Sequence, residues 1–330
     1  MPVICGRMSE PTASNSFLWV PGQGPDSAAL ERMAAAFPKP RKPMGEAWFM
    51  APERQMYPEL LGDLDALTDE QLDRPMEEVA IGPTSFGQLP EWTEWYHYLL
   101  PRLLQRPWRA VLHHPVEVLV TGFMTQHPDT TGDWPYGGFQ SAALATLGQY
   151  IMSAPFWIDD EAAPRCFTKW EGPTGICGWY RADGLLSGSL FFCLKYLAAD
   201  QVRPWFQSVS AIPNKYWKAQ LITWLVGAHP ILTGEIDQPA QFPEEGTFGV
   251  TWEWSHTLSG NYSGDFEPPI QSIPFLAPEN KAAILDVARK MDTDEFFEEL
   301  LTDPELEAVA AETAGLPELF GQLYQDRPIG

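Results

Sequence analysis

Hydrophobic positions are densest between residues 183 and 230, where their pattern predicts two helices joined by a short helical segment. The first helix, Leu185 to Ala198, is apolar on nearly every face, which is typical of a helix buried in the interior. In the second, after Asn214, apolar residues recur on one helical face at Trp217, Leu221, Trp224 and Leu225. Gly227 and His229-Pro230 predict where it ends. We therefore expect a helical hairpin at the centre of the fold.

Helical spacing also recurs before this centre. Residues 110–125 suit either a strand or a buried helix, and we interpret them as a helix. Gly82-Pro83 predicts a turn between two neighbouring helices. Asp26 and Ser27 predict the cap of the first helix. Helices are thus expected over residues 27–37, 57–80, 92–104, 110–125 and 139–153.

After the central hairpin the pattern changes twice. Residues 231–276 are rich in Gly, Pro, Ser and Thr, and Val250, Trp252 and Trp254 alternate as in a short strand. Helical spacing then returns, and it predicts helices over residues 279–291, 294–301 and 304–314.

These elements predict a mainly α fold, an irregular array of helical hairpins that is HEAT-like in outline. Long loops rich in Pro, Gly and Trp separate the hairpins, and little β structure is expected. We expect residues 1–275 to form the main body, with residues 1–45 as an irregular segment and one helix. Residues 276–330 are expected to form an acidic helical extension.

Charge narrows the classes of partner. The 330 residues carry a formal net charge of −23, from 21 basic and 44 acidic residues. Residues 51–100 hold 2 basic and 11 acidic residues, and residues 276–330 hold 4 and 13. Such a balance disfavours nucleic acid and anionic membranes, and it favours a basic protein partner.

Features that the sequence lacks predict the cellular location of the protein and whether it uses a cofactor. It has no signal peptide and no apolar run long enough to span a bilayer, so we expect a cytoplasmic protein without membrane association. It has neither a C-x-x-C spacing nor a glycine-rich phosphate loop, so we expect no cofactor. The oligomeric state stays open.

Three groups of residues could carry chemistry. On a helix, His113 and Glu117 would share a face, and with His114 they could bind a metal, although a structural role explains them more simply. Glu253 and His256 could act as an acid and base pair in a loop. The third group offers oxygen ligands for a hard cation, without the spacing of an EF-hand: Asp129 and Asp133, with Asp159, Asp160 and Glu161 further away.

Two functional hypotheses remain. The leading one is a non-catalytic module that binds a basic protein through acidic surface and aromatic anchors at Trp134, Tyr136, Trp252 and Trp254. A bacterial immunity protein that neutralises a basic toxin fits this description. The alternative is a hydrolase with a His, Glu and Asp site in loops 113–134 and 252–265, but no motif joins those residues. Mimicry of DNA is a third idea that only the charge suggests.

Overall fold

A computed structural model describes most of the chain. The described residues are 16–45, 55–86, 90–106, 114–130, 132, 134–158, 161–162, 170–172, 175–177, 179–243, 248–259 and 274–325.

Helices make up most of the described residues, as the mainly α prediction requires. The α-helices are α1 Ser27–Ala36, α2 Asp69–Phe86, α3 Pro90–Gln105, α4 His114–Gln126, α5 Phe139–Thr146, α6 Gly184–Tyr196, α7 Ala199–Ser210, α8 Lys215–Thr233, α9 Pro278–Arg289, α10 Asp294–Thr302, α11 Glu307–Glu312 and α12 Leu316–Tyr324. Short 3-10 helices cover Pro58–Leu61, Leu64–Ala66, Leu147–Met152, Ala154–Phe156, Pro239–Gln241, Glu253–Ser259 and Pro304–Leu306.

The β structure described is confined to three pairs of very short strands. The strands are β1 Trp157–Ile158, β2 Glu161–Ala162, β3 Trp170–Gly172, β4 Gly175–Cys177, β5 Arg181–Ala182 and β6 Gly249–Val250. The pairs β1–β2 and β3–β4 are antiparallel, whereas β5 and β6 run parallel with Arg181 opposite Gly249 and Ala182 opposite Val250. The prediction of an irregular helical array with little β structure is confirmed.

Helix α6 lies at the centre, because each of its residues from Gly184 to Tyr196 is buried. It packs against α4, α5, α9 and the 3-10 helix Leu147–Met152. One adjacent and one distant side chain supply hydrogen-bond partners at its two ends. Asp183 accepts from the first-turn N–H groups of α6, and Asn280 Nδ2 donates to the carbonyl groups of Leu194 and Leu197 at 2.7 and 3.0 Å.

Local capping signals were read correctly. The Asp26 carboxylate accepts from Ala29 N at the start of α1. Asn214 accepts from Trp217 N at the start of α8, at 2.9 Å. Each of these side chains satisfies an N–H group that the helix itself leaves without an acceptor.

The predicted end of α8 at Gly227 is wrong, since the helix continues through Pro230 to Thr233 and ends at Gly234 with φ +85°. Gly227 instead allows α8 and β6 to approach each other closely. A Cβ at this position would lie 2.6 Å from the carbonyl carbon of Gly249, so glycine lets β6 cross directly over α8.

Two other predicted boundaries are also wrong. α2 continues through Gly82-Pro83 to Phe86, and the glycine leaves room for the Trp92 indole, which would lie 2.4 Å from a Cβ at Gly82. The strand predicted from the alternation of Val250, Trp252 and Trp254 stops at Val250. From Glu253 the chain forms a 3-10 helix, so the two indoles belong to different local structures.

The C-terminal residues 276–330 were predicted to form an acidic extension, and their described part packs against the rest of the chain. α9 contacts α7 and α8, and α12 contacts α8. The Tyr324 hydroxyl donates to the Leu225 carbonyl at 2.7 Å in a buried position. A fourth helix, α12, was not predicted. Whether this segment is a separate folding unit stays a prediction.

The structure bears on one part of the membrane prediction, the absence of a membrane-spanning helix. In the part of the chain that the structure describes, every helix is too short or too polar to cross a bilayer.

The contact between α8 and β6 predicts a large difference between two helical glycines. Gly227→Ala should destabilise the protein by about 3 kcal/mol or more, because the new methyl group meets backbone that cannot move aside cheaply. Gly188→Ala is the matched control. Its Cβ would meet Val120 Cγ1 at 3.6 Å, an ordinary contact, so it should gain up to about 1 kcal/mol from helix propensity.

Urea unfolding followed by far-UV circular dichroism measures both variants. Equal midpoints for the two would show that β6 does not press on α8 at Gly227.

Candidate functional site

A polar ladder runs along the buried helix α4, where Glu117, Thr121 and Thr125 recur every fourth residue on one face. The segment that begins at Trp252 packs against this ladder. Trp252 Nε1 donates to Thr121 Oγ1 at 2.9 Å, and Trp254 N donates to Glu117 Oε1 at 3.3 Å. The two regions that the hydrolase hypothesis combines, residues 113–134 and 252–265, therefore meet where both are described.

Glu117 is the most unusual group on this ladder. It is buried, and its carboxylate lies so close to Gly184 that a Cβ there would stand 2.2 Å from Oε2. Burial above all raises the pKa of Glu117 to about 8, the Trp254 N–H opposes this, and the carboxylates of Asp183 and Glu253 add to it. The carboxyl group is thus mostly protonated near neutral pH, a state that suits either a general acid or a neutral buried hydrogen-bonding group.

The other predicted catalytic residues are only partly assembled. Glu253 and His256 are exposed, His256 Nδ1 lies 2.9 Å from the Glu253 carbonyl oxygen, and its ring stands 5.9 Å from that of Trp254. His113 lies outside the described residues, as does the side chain of His114. Within the described ranges, no group of three or more His, Cys, Asp or Glu side chains is placed to hold a metal ion.

A pair formed by the buried His97 and the half-buried His127 lies at the other end of α4, and the sequence pattern did not predict it. His97 Nε2 of α3 and His127 Nε2, just after α4, are 3.0 Å apart, and the two rings are nearly parallel with centroids separated by 5.2 Å. Burial lowers the pKa of His97 to about 3, with His127 adding to the effect, and burial lowers the pKa of His127 to about 4. Both rings are therefore neutral, and one donates to the other. The available signal was His97 itself, a polar residue on the aromatic face of a predicted helix.

Two predicted aromatic anchors surround this pair. Trp134 is half-buried and packs against His127 with centroids 5.2 Å apart, and Tyr136 is half-buried against Phe139 at 5.3 Å. Trp252 is only 5% exposed and packs face to face with Phe191. These rings therefore contribute mainly to the core, and Trp252 presents almost no surface to a partner.

A small cavity lies at the Thr125 end of the ladder, and its polar lining comes from Thr84, Thr125, Lys195, Gln238 and Thr257. Its volume of about 20 Å³ is enough for about one ordered water and too small for a substrate. Lys195 Nζ donates to the Phe275 carbonyl at 2.9 Å.

Lys195 also interacts with Asp129, one of the predicted cation ligands. Burial lowers the pKa of Lys195 to about 8, and the negative charge of Asp129 opposes this shift. Asp129 thus lies near a lysine. Asp133, its predicted companion, lies outside the described residues.

The surface of α10 differs from all of these buried groups. Its inner side buries Phe296, Phe297 and Leu300. Its outer side, continued into the next turn, exposes Glu295, Glu298, Leu301 and Glu305, and we name these four residues the α10 face. Leu301 is 74% exposed, whereas the other exposed large hydrophobic side chains described, Leu18, Val20 and Tyr180, reach at most 48%.

No protein-family model, curated protein sequence or solved structure matches the chain. Function has to be inferred from the geometry of the chain itself.

The raised pKa of Glu117 predicts a pH-dependent stability. The folded chain keeps this proton up to about pH 8, whereas an unfolded chain releases it near pH 4.5, so the folded state binds more protons between these values. The contribution of Glu117 to the free energy of unfolding should therefore fall as the pH rises from about 4.5 to about 8. Glu117→Gln removes this loss, and it should stabilise the protein by roughly 2–4 kcal/mol at pH 8 relative to pH 4.5.

The measurement is the urea midpoint of both proteins across this pH range. Glu94→Gln, an exposed carboxylate on α3, is the control and should follow the wild type. A parallel pH dependence for Glu117→Gln and the wild type would contradict the prediction.

The histidine pair predicts the opposite pH dependence in acid. Below about pH 6.5 an unfolded chain takes up protons at both histidines, whereas the folded chain resists until about pH 4 and 3. The contribution of this pair to the free energy of unfolding should therefore fall as the pH drops from about 6.5 to about 4. His97→Leu/His127→Leu should flatten this acid limb.

At neutral pH, each single variant leaves the other ring without its hydrogen-bond partner. The double variant should therefore cost less than the sum of the two singles, by about 1 kcal/mol. Simple additivity in urea unfolding would contradict a direct bond between the rings.

Proposed function

We propose that this chain is a non-catalytic binding protein that holds a basic partner protein against the α10 face. The observation that carries the proposal is the exposure of Leu301, 74%, between carboxylates on a helix that buries its other large apolar residues. An exposed apolar side chain with charged neighbours of one sign supports an interface whose partner brings the opposite charge and an apolar contact.

The ion pairs of the other C-terminal carboxylates also favour the α10 face as the binding surface. Asp303 and Glu299 pair with Lys215, and Asp286 pairs with Arg203 and Lys290. The pairs with Lys215 and Arg203 hold C-terminal helices to the body, whereas the Asp286–Lys290 pair lies at the end of α9 itself. Among the described residues, Glu295, Glu298 and Glu305 form no ion pair, so their charge is available to a partner.

Binding would occur in two physical steps. The negative field of the acidic C-terminal helices attracts a basic surface and raises the association rate, an effect that salt screens. Leu301 then enters an apolar pocket of the partner and slows dissociation. A bacterial immunity protein that covers the active site of a basic toxin would work in this way, since occlusion requires no chemistry.

The predicted aromatic anchors take a smaller part in this proposal. Trp134, Tyr136 and Trp254 are half-buried, so they could contribute ring edges to an interface, whereas Trp252 is a core residue.

A hydrolase is the second candidate, and one observation favours it: Glu117 is protonated near neutral pH beside the segment that carries Glu253 and His256. It ranks lower because Glu117 is buried.

The test compares two triple variants that change the charge equally. The partner is first recovered from host cells at low salt and purified, and its association with the wild type is followed by stopped flow. Glu295→Gln/Glu298→Gln/Glu305→Gln should lower the association rate about tenfold at low salt. The control, Glu59→Gln/Asp65→Asn/Glu70→Gln, neutralises three exposed carboxylates of the other acidic segment and should change the rate far less.

Leu301→Ser should raise the dissociation rate without altering the stability of the free protein, since this side chain is exposed. Equal effects of the two triple variants, or an unchanged dissociation rate for Leu301→Ser, would place the interface elsewhere. A partner without a basic surface would contradict the proposal that charge attraction drives the association.

A further inference from the structure

The ring nitrogens of His97 and His127 point directly at each other. The two Nε2 atoms are 3.0 Å apart, and the ring centres are 5.2 Å apart. The difference, 2.2 Å, is close to twice the distance from the centre of an imidazole ring to one of its atoms. Both nitrogens therefore lie almost on the line that joins the centres. Since the ring planes differ by only 12°, the rings lie edge to edge near a common plane.

This alignment suits a metal ion as well as a proton. A metal ion with two ligands in a line accepts one in-plane lone pair from each side. A metal–imidazole bond is about 2.0 Å long, so such an ion needs nitrogens about 4 Å apart, compared with the observed 3.0 Å. Each ring has to move by only about 0.5 Å. The pair is thus aligned for a linear ion and needs a small opening to admit it.

The protonation state of the pair also suits a metal ion. Imidazole binds metals in its neutral form, and burial lowers the pKa of His97 to about 3 and that of His127 to about 4. Neither ring has to lose a net proton before it binds an ion near neutral pH.

Aromatic rings enclose the space between the two nitrogens. Phe139 lies 5.3 Å from each histidine ring, so it flanks the gap between them. Phe37 packs on His97 at 4.5 Å, and Trp134 packs on His127 at 5.2 Å. Aromatic rings attract a cation, but they supply no negative charge. Such surroundings favour a single positive charge over a double one, which is more costly to remove from water.

The number of ligands narrows the choice of ion further. In the part of the chain that the structure describes, no third His, Cys, Asp or Glu joins this pair to form a larger metal-binding group. Zn²⁺ ordinarily takes four ligands, so the pair would supply only half of them. Monovalent ions with a filled d shell, Cu⁺ and Ag⁺, are stable with two ligands in a line. His127 and Trp134 are half-buried, which gives an ion access from the surface.

From this geometry we infer that His97 and His127 bind one soft monovalent metal ion of the Cu⁺ class between their Nε2 atoms. The ion takes the place of the hydrogen bond. The proton on the donor Nε2 is released to water and another is taken up at Nδ1 of the same ring, so both rings stay neutral and the site gains one positive charge. The site shares no residue with the α10 face, and the inference is independent of the proposed function.

The test observes the ring nitrogens directly. Protein labelled with ¹⁵N at histidine is titrated with Ag⁺, a redox-stable ion of this class, and its ring nitrogens are followed by long-range ¹H–¹⁵N NMR spectroscopy. The thiolates of the four cysteines also bind soft ions, so the titration continues beyond four equivalents. The Nε2 signals of His97 and His127 should shift together, with a dissociation constant of about 10 µM or lower. Splitting of both signals by the silver nucleus would identify direct bonds.

Variants assign the signals and test whether both ligands are required. His97→Gln and His127→Gln should each weaken Ag⁺ binding at the remaining ring at least about a hundredfold, since loss of even an outer-shell partner costs about 10–100-fold. His256→Gln removes an exposed histidine and should leave the affinity unchanged. Circular dichroism checks that each variant is folded, and the spectra of the wild type decide the question if one of them is not.

Several results would overturn the inference. One is the absence of a shift at either ring at about 1 mM free Ag⁺. Another is a shift confined to one ring, because a linear ion has to bind both. Wild-type affinity in His97→Gln would show that the ion binds elsewhere. Equal shifts at equal concentrations of Zn²⁺ would contradict the preference for a monovalent ion with two ligands.

Discussion

The complete burial of α6 is the constraint on which the rest of this structure depends. A helix without an exposed face needs neighbours on all sides, and both of its ends need hydrogen-bond partners away from water. Asp183 supplies them at the first end, and Asn280 of α9, more than 80 residues later, supplies them at the other. The C-terminal helices are therefore tied to the centre of the fold, although their composition marks them as an acidic extension.

Close packing around this centre explains why some helix boundaries could be predicted and others could not. Asn214 and Asp26 act on the N–H groups two or three residues ahead, so their role is written in the local sequence. In the sequence Gly227 and Gly82 both look like residues that end a helix. In the structure Gly227 accommodates the backbone of β6, and Gly82 accommodates the indole of Trp92. A glycine required by a distant contact cannot be distinguished by local pattern from one that ends a helix.

The candidate sites also combine features that the local sequence predicts with features that only the packed structure reveals. Spacing placed Glu117 on a helix, and the loop of Glu253 and His256 does reach it, but only the packed structure reveals that Glu117 is buried and mostly protonated. His97 was overlooked because its partner, His127, lies 30 residues away and a neutral buried pair has no sequence signature. Trp252 shows the reverse, since an indole between polar residues looked like a surface anchor and is a core residue.

Burial also decides which charged groups are available for recognition. Burial shifts the pKa values of Glu117 and the two histidines far enough that these groups are mostly neutral near neutral pH, whereas Lys195, with a pKa lowered to about 8, keeps most of its charge. Recognition by charge is then left to the surface, where Lys215 and Arg203 neutralise some carboxylates and the α10 face keeps its own. Under the proposed function, the long-range field of that face would attract a large basic surface, and salt would weaken this attraction because it screens exposed charges far more than buried ones.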